Sequence, residues 1–139
     1  MARARWLLET GARVDAAETE NGFTALMWAS WIGHLEIVRE LLGRGANVNS
    51  VRTDDGMTSL MGASQYGYLE TVRVLLGRGA NVNAAQADNG KTSLMWASQE
   101  GHLDIVRELL GRGANVNAAR TDVGKTSLML ASSCVSFVG

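Results

Sequence analysis

Three groupings in the sequence have residue types suited to chemistry. Gly90-Lys91-Thr92-Ser93 and Gly124-Lys125-Thr126-Ser127 resemble the tail of a P-loop, with a lysine for phosphate and hydroxyls for magnesium. That loop also needs a glycine five residues before its Gly-Lys pair, so that backbone N–H groups can cradle the anion. Ala85 and Ala119 stand there, and no buried strand precedes them. Gly43-Arg44-Gly45 opens a G-x-G-x-x-G, but Val48 takes the third glycine's place. His34 with Glu36, and His102 with Asp104, pair ligand types for a divalent metal. They lie 68 residues apart with Tyr68 in the matching place between them, so they make no shared tetrahedral set. Cys134 is the one cysteine and has no committed base to activate a thiolate. Two histidines in equivalent places are not a catalytic constellation. The chain is therefore expected to be no enzyme, with no catalytic residue, metal or cofactor.

The equivalence of His34 and His102 has a wider cause. Gly22, Gly56, Gly90 and Gly124 are spaced by 34 residues, as are Gly33, Gly67 and Gly101, and Gly11, Gly45, Gly79 and Gly113. Units 22–55 and 90–123 agree at 26 of 34 positions, which makes the chain a stack of near-identical supersecondary units. Such a stack shares its core between neighbours and presents a long surface in place of one deep pocket.

Each unit dictates its own elements. In the first, Thr24 is a good N-cap for a short helix beginning at Ala25, because its hydroxyl can accept from an early backbone N–H. Leu26, Met27 and Ala29 suit a helix packed on both sides. Gly33 ends that run. Leu35, Val38, Leu41 and Leu42 then form the apolar stripe of a second helix, with Glu36, Arg39 and Glu40 on its wet face. Gly45 suits the left-handed residue after that helix. A polar stretch from Ser50 to Asp55, rich in turn formers, leads back to the next glycine.

The pattern G-x-T-x-L-x-x-A-x-x-x-G-H-L-E-I-V-x-x-L-L-x-x-G-A-x-V-N resembles the ankyrin repeat and recurs through most of the chain. The resemblance implies an all-α solenoid of stacked antiparallel helix pairs, with β-hairpin-like loops projecting from them. It also implies a concave surface made by loop tips and first helices, used to bind other proteins. The sequence divides into one ankyrin-repeat domain, 1–139, with full repeats 22–55, 56–89 and 90–123 and partial repeats 1–21 and 124–139. The family's T-P-L-H is here Thr24-Ala25-Leu26-Met27, Thr58-Ser59-Leu60-Met61 and Thr92-Ser93-Leu94-Met95, with no proline or histidine. The period exceeds the family's usual ~33 by one, and the extra residue is expected between Asn49 and Gly56. The incomplete ends read as a piece of a longer array, or as a small array with imperfect caps able to associate end to end. The loop asparagines Asn49, Asn83 and Asn117 occupy the places that an asparaginyl hydroxylase modifies in the family, though the expected preceding acid is Asn47, Asn81 or Asn115.

Differences between units separate scaffold from variable surface. They concentrate at the end of the first helix (Trp31-Ile32, Gln65-Tyr66, Gln99-Glu100) and in the loop. There Arg52, Asp54 and Asp55 become Gln86, Asp88 and Asn89, then Arg120 and Asp122 with Val123. Phe23, Met57 and Lys91 vary as well. These positions are the expected partner contacts. Trp31 and Tyr66 lead among them as large aromatic anchors. Gly62 replaces Trp28 and Trp96, which reads either as a notch for a partner side chain or as a weak repeat tolerated by its neighbours.

Composition narrows the partner. Net charge is −1 and the basic residues recur with the repeat instead of gathering in one tract, which argues against nucleic acid and anionic membrane. One cysteine, no apolar run of ~18 residues and no signal-peptide pattern point to an intracellular, mainly monomeric protein. The expected function is non-catalytic binding of a partner protein. A structural spacer, or the recruiting part of a larger enzyme, is the alternative.

Overall fold

The computed structural model describes residues 22–117, which fold into three successive helix pairs. Helix α1 is Ala25–Ile32, α2 Leu35–Gly43, α3 Ser59–Tyr66, α4 Leu69–Gly77, α5 Ser93–Gln99 and α6 Leu103–Gly111. The first helices begin at 34-residue intervals, as the glycine spacing requires. Each starts on a threonine whose Oγ1 accepts from the N–H three residues on, Thr24 from Met27, Thr58 from Met61 and Thr92 from Met95, at 3.2–3.3 Å. Gly33 and Gly67 close α1 and α3 with φ of 78° and 86°, a conformation glycine adopts without steric cost. The chain then turns directly into the second helix.

Burial follows the stripe read from the sequence. Leu26, Met27 and Ala29 of α1 are buried, as are Val38, Leu41 and Leu42 of α2, and the core runs unbroken through Leu60, Val72, Leu75, Leu94, Ile105 and Leu109. The first helices, α1, α3 and α5, pack more closely on one another than the second helices do, and their side of the stack is referred to as the inner side. Between pairs the chain makes a tight hairpin. Arg52 N–H donates to the Met57 carbonyl at 3.0 Å, and Gln86 N–H donates to the Lys91 carbonyl at 2.9 Å. Ala85 and Thr92 form an antiparallel bridge.

A side-chain ladder between the second helices and the hairpins also joins the units. Asn49 Nδ2 donates to the Gly79 carbonyl at 3.1 Å while its Oδ1 accepts from Asn81 N–H at 2.8 Å. Asn83 repeats the arrangement on Gly113 and Asn115 at 3.1 and 2.7 Å. The side chains named above as modification positions are thus committed to the neighbouring unit at 49 and 83.

On the outer face Arg73 reaches Glu70 at 2.6 Å within its helix and Glu108 of the next pair at 3.1 Å, and Glu108 also meets Arg112 at 3.2 Å. The Arg73 hydrogen bond, with help from Arg112 and against some desolvation, holds the Glu108 carboxyl below its ordinary pKa. A carboxylate lowered in this way contributes stability above its unfolded pKa, and that contribution is lost as pH falls through the folded value. Glu108→Gln should therefore lower Tm slightly at neutral pH and flatten its fall in acid. Melting curves between neutral pH and the carboxylate range check this; parallel curves would show that the pair does not act on stability.

Ser93 occupies the first position of α5, where the family carries proline. Its hydroxyl is buried without a hydrogen-bond partner among the described residues. Thr92 before it is extended (φ −105°, ψ 170°), the conformation a residue preceding proline prefers. Ser93→Pro should raise stability by ~0.4–1 kcal/mol through the unfolded chain's lost freedom. A lower denaturation midpoint would overturn this placement of the helix start.

Candidate interaction surface

The expected contact positions divide into two groups once folded. The first group joins each hairpin to its inner helix. Trp31 lies across Gly62: a Cβ there would sit 1.8 Å from Trp31 Cδ1 and 1.9 Å from its Nε1. The indole N–H donates to the Thr58 carbonyl at 3.3 Å. Phe23 meets the ring edge to face with centroids 4.9 Å apart. The Arg52 guanidinium covers both rings, its Cζ 5.5 Å from the centre of Phe23 and 5.4 Å from that of Trp31. Arg52 also holds Asp54 at 2.8 Å and Asp55 at 3.6 Å, and the Asp54 hydrogen bond keeps its pKa above the usual arginine value. Of the two readings of Gly62, the notch for a partner side chain is filled by the chain's own Trp31, because the missing side chain is what admits the ring.

The third unit solves the same problem with other residues. Lys91 is only 4% exposed. Its Nζ lies 3.4 Å from the centre of the Trp96 ring and donates to Gln99 Oε1. Trp96 Nε1 donates to Gln86 Oε1 at 3.0 Å, and Gln86 Nε2 to the Asp55 carbonyl at 3.3 Å. Cation on aromatic is kept while the positions supplying them change, from Arg52 on Phe23 and Trp31 to Lys91 on Trp96. Met57, Gln86 and Lys91 are all buried, so they do not offer the surface contact expected of them; their side chains fill the joint between hairpin and helix. Asp55 and Asn89 turn inward to their own loops, accepting from Met57 and Lys91 N–H at 3.0 and 2.9 Å. Gln65 is half-buried, and its carbonyl takes the His102 ring nitrogen at 3.0 Å.

The second group faces water. Ile32 is 37% and Tyr66 51% exposed, at equivalent last positions of α1 and α3. Gln99 and Glu100 follow at the end of α5, and Asp54 and Asp88 lie at the hairpin tips. Arg120 and Asp122 lie outside the described residues. Val51 is 51% exposed on the loop before Arg52; the sequence reading missed it because Ala85 and Ala119 at the same place look like filler.

The chemistry weighed in the sequence is absorbed locally. Thr92 caps α5 beside the buried Lys91. Glu36 pairs with Arg39 at 3.4 Å, Asp104 Oδ1 accepts from Ile105 N–H at 2.8 Å, and the His102 ring packs on Gly67. Among the described residues no cluster of three His, Cys, Asp or Glu can hold a metal, and no helix is long and apolar enough to cross a membrane.

A search of the curated proteins returns no match for this chain. A family model described as "Ankyrin repeats (3 copies)" matches residues 2–86 and 60–138. The threonine-capped first helix, the glycine turn, the apolar second helix and the projecting hairpin recur in the described units, and the family match extends over nearly the whole sequence: the chain belongs to the ankyrin-repeat family.

Proposed function

We propose that this protein is a non-catalytic interaction module that takes a partner protein on the inner face of the stack and its hairpin tips. Ankyrin repeats generally bind proteins and are typically non-catalytic. The observation that carries the reading here is the placement of Ile32 and Tyr66. Both are large, apolar and exposed, and they sit at equivalent positions of adjacent first helices, whose leucines and methionines are all buried; Leu103 and Leu110 of α6 are exposed as well. Exposed aromatic residues are frequent anchors of protein interfaces.

The test is affinity capture from lysate with the wild type and an Ile32→Ala/Tyr66→Ala variant of equal helix content. Exposed positions leave stability within about 0.5 kcal/mol, so the comparison isolates binding. A retained protein should lose about tenfold or more in affinity for the variant. Equal retention by both would exclude the inner face, and an empty list would favour a spacer.

A further inference from the structure

We propose that the open side of α6 is a second docking surface, and that it takes an acidic amphipathic helix of a partner protein; this does not depend on the inner-face reading. Leu103, Val106, Arg107 and Leu110 stand at i, i+3, i+4 and i+7 and so share one stripe of the helix. The same stripe recurs in α2 as Leu35, Val38, Arg39 and Leu42, and in α4 as Leu69, Val72, Arg73 and Leu76. There the second helix of the next unit lies beside it, α4 on α2 and α6 on α4. Val38 and Val72 are fully buried, and Leu42 and Leu76 are only 6% and 8% exposed. In α6, by contrast, Leu110 is 41% and Leu103 57% exposed, and Val106 is half-buried. The repetition identifies what this stripe is shaped to receive, which is another helix.

The charge of that helix follows from the arginine. Arg39 is paired with Glu36 of its own helix. Arg73 holds Glu70 and also Glu108, which α6 brings across the joint. In α6 the place of Glu36 is taken by Asp104, one methylene shorter and accepting from Ile105 N–H. Arg107 is exposed and has no ion pair among the described residues. A helix that lies on α6 as α6 lies on α4, with a glutamate set against Arg107, completes the joint. No described helix of a second copy fits that role. Its α2 and α6 carry such glutamates, Glu40 and Glu108, but keep Ile37, Leu41, Ile105 and Leu109 in their own core. Its α4 has Val74 in that place, and the open stripe of a second α6 again carries Arg107, the wrong charge.

The experiment is selection on the intact 139-residue chain from a phage library of helical hairpins randomised on one helix face, followed by titration of the enriched hairpins against variants. They should carry apolar residues at helical spacing beside a glutamate or aspartate. They should lose about tenfold or more in affinity to Leu103→Ser/Leu110→Ser. They should lose about tenfold to Arg107→Glu, a loss recovered when their own carboxylate is changed to lysine. Hairpins without an acidic residue, or indifferent to Arg107→Glu, would overturn the acidic partner. No enrichment would overturn the α6 surface, as would hairpins lost to Ile32→Ala/Tyr66→Ala but indifferent to the α6 variants; these last would support the inner face instead. A light-scattering mass that rises with concentration until Leu103→Ser is introduced would show that a second copy takes the stripe. A monomer that melts several degrees lower with Leu103→Ser would show that residues 118–139 cover it. Either result would overturn the partner helix.

Discussion

Replacing Gly62 by alanine should destabilise the protein, although alanine is the better helix former by ~1 kcal/mol. The added methyl would stand 1.8 Å from Trp31 Cδ1, so the indole must leave its seat. The ring then gives up its hydrogen bond to the Thr58 carbonyl, its edge-to-face contact with Phe23 and the Arg52 guanidinium. Those are worth about 1 kcal/mol, 0.5–1.5 kcal/mol and 0.5–1 kcal/mol, which together exceed the propensity gain. The expected net loss is about 1–2 kcal/mol in urea unfolding, with a red shift in tryptophan emission. In a Trp31→Ala background nothing obstructs the methyl and the sign reverses: Gly62→Ala should then stabilise by up to ~1 kcal/mol. The same effect in both backgrounds would mean that Trp31 and Gly62 do not touch. This coupling also explains why Ile32 rather than Trp31 is paired with Tyr66 in the binding variant, since removing Trp31 would loosen the hairpin joint as well as the surface.

Gly67→Ala should be the more damaging of two alanine substitutions that look alike in the sequence, and Gly79→Ala is its control. Their φ values are nearly equal, 86° and 89°, so both variants carry the left-handed penalty of ~1–2 kcal/mol. At Gly79 an added Cβ meets nothing within 4 Å, whereas at Gly67 it meets His102 Cε1 at 2.7 Å and Nδ1 at 3.0 Å. The His102 ring must retreat and its hydrogen bond to the Gln65 carbonyl is lost, a further ~1 kcal/mol. Gly67→Ala is thus expected to cost about 2–3 kcal/mol, and His102→Ala should erase the excess over Gly79→Ala. Equal losses at the two glycines would show that the histidine ring contributes nothing to joining its unit to the one before. Tyr68 stacks on Gly33 in the same way, its Cε1 2.6 Å from where a Cβ would stand, so the joint tolerates either aromatic ring.

The elements were legible because their causes are local. A threonine followed by an apolar run and a glycine sets a cap, a helix and a left-handed stop from neighbouring residues alone, and three in-phase copies leave little choice of architecture. Leu41 and Leu75 are buried in equivalent places for the same reason. What escaped the sequence depends on side-chain contacts outside the local helix pattern, between units for Trp31 and Gly62 and between a hairpin and its own first helix for Lys91. Nothing in the local pattern around Gly62 says that Trp31 covers it, and nothing around Lys91 says that Trp96 and Gln99 draw it under the surface. The same variability that marked Phe23, Arg52, Met57, Gln86 and Lys91 as surface turns out to be compensation within the joint, cation and ring exchanging places from unit to unit. Substitution between repeats arises equally from a changing partner and from a changing neighbour, and periodicity cannot tell the two apart. Only packing decides that, because it shows which side chains water still reaches. Of the varied positions it leaves Ile32, Tyr66, Asp88 and Glu100 exposed, with no side-chain hydrogen bond or ion pair among the described residues.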